Sequence, residues 1–320
     1  MAIVANTFTR YSAIGIREDL SNVIYNIAPE ETPFISNIGR ENVKNTYFEW
    51  QTDDLAAASA SNAALEGDDV TSFTAVTPTV RVGNYTQIST KNVIISGTVE
   101  ALDRAGRRSE LTYQLAKQGS ELKRDMEAAL LANQASVAGN TTTARRTAGL
   151  PAWLTSNTSF GSGGANPTVG STPTAARTDG TQRAFTETLL KNVISAVWTS
   201  GGSPKILMTG AFNKQAASAF TGIATRFRDV PAGSQAQIVG AADVYVSDFG
   251  TVSIVPNRFQ RSRDAFVLDP EMASLAILRP IQQMELAKTG DAEKRMMLVE
   301  YGLKVNNQAA HGIVADLTTS

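Results

Sequence analysis

The chain has 320 residues, with 29 lysines and arginines against 30 acidic residues and a formal net charge of -1, so it has no global basic field for tight nucleic-acid binding. Hydrophobic residues make up 42% of the chain, yet no apolar run approaches the roughly 20 residues that span a bilayer, and no membrane partner is predicted. The absence of cysteine excludes disulfides, thiolate metal sites and cysteine nucleophiles.

The N-terminal region predicts an extended arm. Residues 1–31 mix short apolar and polar side chains, and Pro29 and Pro33 disfavour a continuous helix. We predict one short helix here, around Ile16 to Ile27. The first residues lack a basic stretch followed by an apolar segment, so no export is expected and the chain should stay in the cytoplasm where it is made.

Two strand-like segments predict a long two-stranded ribbon. Tyr47 to Gln51 is aromatic, and Thr79 to Ser89 alternates between apolar and polar residues. The tract between them, residues 55–75, is small and acidic, with too few large apolar side chains to form its own core. Two legs of about 20 residues would reach roughly 65 Å, and such an isolated hairpin is only marginally stable in water. We therefore expect the ribbon to lie on another surface, and Trp50 and Phe73 are candidates for contact with another subunit.

A long helix is predicted next. Ser109 can cap a helix that begins at Glu110, and apolar residues then recur at helical spacing, namely Leu111, Leu115, Leu122, Met126 and Ala129. The helix is predicted to run to about Gln134, which at about 1.5 Å per residue makes it close to 39 Å long. A helix of this length can act as a rigid structural support.

The middle of the chain predicts a compact α/β lobe. Residues 155–182 are rich in Gly, Ser, Thr, Pro and Asn, which is typical of a surface loop between two structured regions. The following pattern predicts a helix over Thr186 to Trp198, a short buried strand over Lys205 to Thr209, and a helix over Ala211 to Phe220. This order of elements favours an α/β arrangement.

The last third predicts strands. A hairpin is expected over residues 242–259, followed by strands at 265–269, 274–280 and 295–306. In the last strand, alternation places one set of residues on the buried face, namely Met297, Val299, Tyr301, Leu303 and Val305, and another on the opposite face, namely Glu300, Lys304 and Asn306. The pattern therefore predicts a half-buried strand.

Catalytic and metal-binding patterns are missing from the sequence. His311 is the single histidine, and without cysteine it cannot make a usual zinc site, which favours a structural role over a catalytic one. The sequence contains neither a phosphate-binding loop nor a nucleophile elbow. No catalytic residue, cofactor or metal is predicted.

The acidic clusters and the basic cluster each allow more than one functional interpretation. Acid pairs such as Asp53-Asp54 and Asp291/Glu293 lie in polar tracts, which favours solvated surface charge over paired-carboxylate catalysis. Three acids of the predicted ribbon tip are also candidates to meet basic groups of another subunit, namely Glu66, Asp68 and Asp69. The basic residues on and before the long helix favour helix-surface ion pairs, because acids are interleaved with them. The alternative is a weakly basic face that touches DNA, with Arg107, Arg108 and Lys123 as candidates.

Six long, non-repetitive segments, spread over most of the chain, are TPFISNIGR, NTYFEWQTDDLAA, ELKRDMEAALLANQ, AGLPAWL, DVYVSDFGTVSIVPNRF and LAKTGDAEKRMMLVEYGL. Together they closely resemble a phage major head protein family formerly catalogued as a domain of unknown function. The resemblance implies the α+β Hong Kong 97 shell fold of tailed phages. It divides the chain into an N-terminal arm (1–40), an extended loop that is a long β-hairpin (41–95), a peripheral domain with the spine helix (96–148), an axial α/β domain (149–260) and strands returning to the peripheral domain (261–320).

The resemblance implies a major capsid protein that forms hexamers and pentamers of an icosahedral head around double-stranded DNA. The implied partners are further copies of the chain, a separate scaffolding protein, a portal, a decoration protein in some heads, and packaged DNA that is bound weakly and without sequence preference. Two alternatives stay open on sequence grounds: an enzyme of unrecognised class, and an encapsulin-like compartment of the same fold that holds protein cargo.

Overall fold

A computed structural model describes residues 31–53, 55–63, 66–67, 69, 73, 75–102, 106, 108–220 and 243–320. Its α-helices are α1 (Pro33–Asn37), α2 (Gly97–Ala101), α3 (Glu110–Leu131), α4 (Glu187–Thr199) and α5 (Ala211–Ser218). Its first strands are β1 (Gly39–Asn42), β2 (Tyr47–Thr52), β3 (Val80–Tyr85), β4 (Gln87–Ser96), β5 (Thr158–Ser159), β6 (Thr168–Val169), β7 (Pro173–Ala175) and β8 (Ile206–Thr209). The remaining strands are β9 (Val244–Ser247), β10 (Gly250–Pro256), β11 (Ala265–Leu268), β12 (Ala273–Glu285), β13 (Ala292–Val305) and β14 (Gly312–Val314). The helix predicted around Ile16 to Ile27 lies outside the described residues.

A four-stranded sheet lies beside the long helix α3. Its strand order is β1-β12-β13-β4, with β1 parallel to β12 and the other pairs antiparallel. The central pair places Leu275 opposite Leu303, and β4 then extends the sheet from Gln87, opposite Tyr301. Helix α3 packs on β4 and β13, where Gln118 donates a hydrogen bond to the Asn92 carbonyl at 2.9 Å.

A six-stranded sheet forms the second layer. Its order is β5-β14-β11-β8-β10-β9, and its inner strands β8 and β11 are buried along their whole length. A strand that is buried on both faces reads as a continuous apolar run, and the sequences ILMT and AFVL have that form. Helix α4 packs its apolar face, with Leu190, Val193 and Val197, into this sheet's core.

The three helices predicted after residue 100 are confirmed as α3, α4 and α5, whereas α1 and α2 were not predicted. The Ser109 side chain accepts a hydrogen bond from the Thr112 amide at 3.2 Å, which caps α3 as expected. The helix ends at Leu131 because Ala132 is extended, so its 22 residues make it about 33 Å long rather than 39 Å. Leu122 and Met126 of the predicted stripe are buried, whereas Leu111 and Leu115 are half-buried.

Three strand predictions need correction. The ribbon pairs six residues on each side, Tyr47–Thr52 with Val80–Tyr85, rather than about 20, because Gln87–Ser96 pairs with β13 instead. The strand β13 is not half-buried near its end, since Glu300 lies buried together with Val299 and Tyr301. Residues 155–182 are irregular but include the short strands β5, β6 and β7.

The strands after residue 260 divide between the two sheets. Only β12 and β13 join the sheet beside α3, whereas β11 and β14 pair within the six-stranded sheet. Residues 261–320 therefore do not return as one group to the region of the long helix. The physical reason is burial: Phe266 of β11 pairs opposite Met208 of β8, and both side chains are inaccessible to solvent. The predicted hairpin over 242–259 is confirmed as β9 and β10. Among the described residues, no helix is both long enough and apolar enough to cross a membrane.

Candidate assembly surface

The base of the ribbon is fixed to its own subunit by aromatic side chains. Phe48 is buried and lies against Gly302 of β13, where an added Cβ would come within 2.7 Å of the Phe48 ring. Trp50 packs on Trp153 with ring centroids 5.3 Å apart, and Tyr47 packs on Tyr85 at 4.7 Å. Aromatic pairs at these distances add to the free energy of area burial. The inner end of the ribbon is therefore part of the subunit core.

A buried asparagine locks the second leg of the ribbon. The Asn84 amide donates to the Leu303 carbonyl at 2.7 Å and to the Thr147 hydroxyl at 3.0 Å, and its oxygen accepts from the Ala148 amide at 3.0 Å. The Gly83 amide also donates to the Ser171 carbonyl at 2.7 Å. Buried polar groups are tolerated when they are satisfied in this way, and they then fix the position of the segment.

A buried carboxylate at the foot of the ribbon joins three segments. Glu300 of β13 accepts a hydrogen bond from the Thr86 hydroxyl at 2.9 Å, and it pairs with Arg279 of β12 at 2.8 Å and with Arg145. Burial alone would raise the pKa of Glu300, but the hydrogen bonds from Thr86 and Arg279 and the two positive charges outweigh it, so its pKa is lowered. Glu300 is therefore ionised and holds the turn between β3 and β4.

The described residues of the outer part of the ribbon, between residues 55 and 79, are all exposed to solvent. Beyond Thr52 and before Val80 the described residues form no strand, and Leu55, Phe73 and Val76 are 100%, 87% and 91% exposed. The last contacts of the ladder are polar: Arg81 forms a two-bond ion pair with Glu49 at 2.8 and 2.7 Å, and Thr79 contacts Gln51 at 3.1 Å. These three exposed apolar side chains are therefore candidates for contact with a partner.

The predicted contact residues fall into two groups. Phe73, Glu66 and Asp69 lie exposed on the outer segment, as expected of groups that meet another subunit. Trp50 lies half-buried against its own subunit's Trp153, so here the structure places it in an intrasubunit contact. Asp68 lies outside the described residues. Whether any of these residues touches a neighbouring copy stays a prediction.

The lysines nearest the outer segment differ in their surroundings. Lys91 lies on β4 and pairs with Asp125 of α3 at 2.8 Å and with Glu121 at 3.8 Å, so it faces its own subunit. Lys44 is exposed, and within the described part of the chain it forms no ion pair. Between Leu55 and Ala75 the sequence contains no lysine.

The candidate DNA-facing residues lie on and just before α3. Arg108 and Lys123 are both exposed, while Arg107 lies outside the described residues. The acids Glu121 and Asp125 of this helix pair with Lys91 of β4 rather than with basic residues of the helix. The exposed side chain of Lys123 is therefore not neutralised by those two acids.

Sequence reasoning missed a second buried carboxylate, Glu127 of α3. It accepts hydrogen bonds from the Phe34 and Ile35 amides of α1 at 2.7 and 2.9 Å, and from the Asn257 side chain at 2.7 Å. Burial raises the pKa of Glu127, and these three hydrogen bonds partly oppose the rise. The only available signal was a glutamate close to the apolar stripe of α3. Glu127 thereby fixes α1, which lies within the predicted N-terminal arm (1–40).

The sheets, the long helix and the ribbon define an α+β protein of the Hong Kong 97 fold class. Three solved structures that share the fold are a cyanophage capsid, a structure from a Gordonia phage and the capsid of a GTA particle. The Cyanophage A-1(L) capsid has a TM-score of 0.63 at 13% identity, over 98% of this chain and 99% of that one. The Gordonia phage Cozz structure has 0.62 at 12%, over 99% and 98%. The capsid of a native GTA particle, computed with C5 symmetry, has 0.59 at 14%, over 95% and 96%.

Sequence comparison identifies the family within this class. A family model described as SU10 major capsid protein matches residues 3–318. The major capsid protein of Escherichia phage Phieco32 is 29% identical over 345 aligned positions, which cover 96% of each chain. The chain therefore belongs to the SU10 major capsid protein family. It is a tailed-phage major capsid protein and a component of the virion.

Proposed function

We propose that this capsid protein assembles as hexamers and pentamers into an icosahedral head that encloses double-stranded DNA. The observation that carries the proposal is the contrast along the ribbon, whose base is buried while its outer segment exposes Leu55, Phe73 and Val76. Such a segment gains little within one chain and much from a neighbouring copy. The C5 symmetry named for one similar capsid supports the pentameric part of the proposal.

The proposal gives each region a role. The outer segment of the extended loop lies across an adjacent subunit, and the acids Glu66, Asp68 and Asp69 meet basic groups there. The peripheral domain around α3 and the four-stranded sheet forms the shell wall. The axial domain, with the six-stranded sheet, points to the capsomer centre. The protein acts by assembly and carries out no catalysis.

The proposed partners act at different stages. A separate scaffolding protein guides assembly in the host cytoplasm, a portal occupies one vertex, and a decoration protein can bind the finished shell. We expect expression of this chain alone to give irregular or open particles, and co-expression with the scaffold to give uniform heads. Uniform closed heads from the chain alone would contradict the need for a scaffold.

Contact with packaged DNA is proposed to be weak. The exposed Arg108 and Lys123, together with Arg107, would touch phosphates without reading bases, because the near-neutral chain has no strong basic field. Binding of this kind weakens as the salt concentration rises, because the release of condensed counterions from the DNA then contributes less free energy. We expect Lys123→Gln to reduce the salt dependence of DNA binding, whereas an affinity unchanged between low and high salt would contradict the proposal.

Electron cryomicroscopy of purified heads tests the assembly directly. The expected map shows pentamers at the vertices, hexamers between them, and the outer segment of each ribbon lying on an adjacent subunit. DNA inside the particles supports a phage head, and protein cargo without DNA supports the encapsulin-like alternative, which the family match disfavours. A map of small, open oligomers from infectious particles would overturn the proposal.

A further inference from the structure

Two short crossings carry the chain between the two sheets. Residues 269–272 lead from β11 of the six-stranded sheet to β12 of the four-stranded sheet, and residues 306–311 lead from β13 back to β14. The crossings contact each other: the Asn306 amide donates to the Met272 carbonyl at 2.9 Å. Their relative position therefore helps to set how the two sheets are joined.

The single histidine of the chain completes this contact. His311 is fully buried at the end of the second crossing, and its Nδ1 accepts a hydrogen bond from the Asp269 amide of the first crossing at 3.3 Å. Its Nε2 lies 3.3 Å from the Met272 carbonyl, which can only accept, so Nε2 carries the proton. The neutral ring is thus satisfied at both nitrogens by backbone groups of the opposite crossing.

A second proton on the ring cannot be accommodated in this arrangement. A protonated Nδ1 becomes a donor and would face the Asp269 amide, which is also a donor. The hydrogen bond would be lost, and a positive charge would sit in a buried site beside an apolar cavity. The charged form is therefore incompatible with the observed contact between the crossings.

The charged groups around the ring are few. Asp269 is the charged residue that acts on it, and its carboxylate accepts a hydrogen bond from the Glu271 amide at 3.2 Å, which a charged ring would compete for. Glu271 itself pairs with Lys205. The other elements present uncharged side chains, namely Phe34 and Asn37 of α1, Met208 of β8 and Val255 of β10 around the cavity, and Val193 of α4 against Gly312.

We propose that His311 is an acid-sensitive tie between the two crossings, so that uptake of one proton by its ring releases Asp269 and loosens the junction of the two sheets. The inference goes beyond assembly and does not depend on it. Burial lowers the pKa of His311, although the Met272 carbonyl and the Asp269 charge partly oppose this. The unfolded chain then binds the proton more tightly than the folded chain, so this contribution to stability is present above the ordinary histidine pKa and is lost as the pH falls.

Other groups contribute to the pH dependence of the whole chain. Burial raises the pKa of Asp264 to about 6, although Arg261 and Arg177 oppose the rise. Its protonation therefore favours the folded state as the pH falls, which is opposite in sign to the effect of His311. A global melting curve would mix the two effects, so the test must be local and must include Asp264→Asn.

The test is hydrogen exchange on the full-length chain, read at the amides of Asp269, Glu271, Met272 and Asn306. Between about pH 8 and about pH 5, after correction for intrinsic rates, we expect protection of these amides to fall about tenfold more than that of β8. The variant His311→Asn keeps an acceptor near the Nδ1 position and cannot be protonated, so it should lose this local effect. The variant Asp264→Asn should keep it.

A second measurement decides the case even if His311→Asn does not fold. Exchange at the ring carbon of the single histidine gives the pKa of His311 in the wild-type chain, and the local protection should fall between the ordinary histidine pKa and that lowered value. His311→Gln, which keeps a donor near Met272, serves as the replacement variant. Unchanged protection in the wild type, the same loss in a folded histidine variant, or a loss that lies outside the range between the ordinary histidine pKa and the folded value would overturn the proposal.

Discussion

The two ends of the ribbon differ in what holds them. At the base, Phe48 is 7% exposed and Asn84 is fully buried, with hydrogen bonds to two distant segments, at Thr147 and Ala148 and at Leu303. In the outer segment, Phe73 is 87% exposed and the described residues form no ladder. The same piece of chain thus stabilises the subunit at one end and offers apolar surface at the other. Stability and assembly should therefore be separable by mutation.

The largest expected difference in unfolding free energy is between phenylalanine-to-alanine substitutions at the two ends of the ribbon. Phe48→Ala removes a buried ring and should cost about 3–5 kcal/mol of unfolding free energy. Phe73→Ala removes an exposed ring and should change the unfolding free energy of unassembled chains by less than about 0.5 kcal/mol. Denaturant titration of dilute chains measures both values.

Shell assembly, unlike folding stability, should depend on Phe73. Phe73→Ala chains are expected to fold normally but to give fewer closed shells on a sizing column, because the contact to the neighbour is lost. Equal loss of folding stability in the two variants would break the distinction between base and outer segment.

A smaller effect concerns the carboxylate at the foot of the ribbon. Glu300→Gln keeps the shape but removes the charge that Arg145 and Arg279 meet, and should cost about 2 kcal/mol at neutral pH. Because the pKa of Glu300 is lowered in the folded chain, its contribution is full above the unfolded value of 4.5 and is lost as the pH falls through the folded value. The difference in stability between wild type and variant should therefore shrink in acid. A difference that stays constant with pH would show that the charge of Glu300 is not what matters.

The ion pair between Arg81 and Glu49 should matter least for folding. The Arg81 side chain is 68% exposed, and exposed pairs gain little because water and salt screen them. Arg81→Gln should leave the denaturation midpoint unchanged within error. A clear loss of stability would show that the ladder beyond the aromatic base also supports the subunit.

No covalent links between subunits are expected in mature heads. A lysine-based link needs an amine on the outer segment, but residues 55–75 contain no lysine and Lys91 is paired with Asp125. Heads boiled in detergent without reductant should give one band near 34.0 kDa. A ladder of multiples would contradict this, and the exposed Lys44 would then be the first residue to replace.

The sequence predicted where the helices and strands lie better than which strands pair with each other. Helices α3 and α4 and the hairpin of β9 and β10 follow from local periodicity and caps. The alternation in Thr79 to Ser89 also predicts a strand, but it does not say that the chain from Gln87 onward pairs with β13, more than 200 residues away for the pair of Gln87 and Tyr301. The ribbon was therefore predicted too long.

The dependence on partners distant in sequence also explains why the buried positions of Asn84 and Glu300 were not predicted. The exposure of Phe73 and Glu66 could be predicted because a tract of small and acidic residues cannot bury them. The burial of Asn84 and Glu300 depends on Thr147, Arg145 and Arg279, which tertiary folding alone brings to them. Polar residues in an alternating strand look solvent-facing until those partners are known.

Deletion of Ala56 to Thr74 tests the central claim most directly. It removes the outer segment and leaves Asp53 to Leu55 and Ala75 to Thr79 to close the turn beyond the ribbon base. Co-expressed with the scaffolding protein and examined by electron microscopy, the deleted chain is predicted to be folded, with the denaturation midpoint of the full chain, and unable to form closed shells. Closed shells of normal size from the deleted chain would contradict the account.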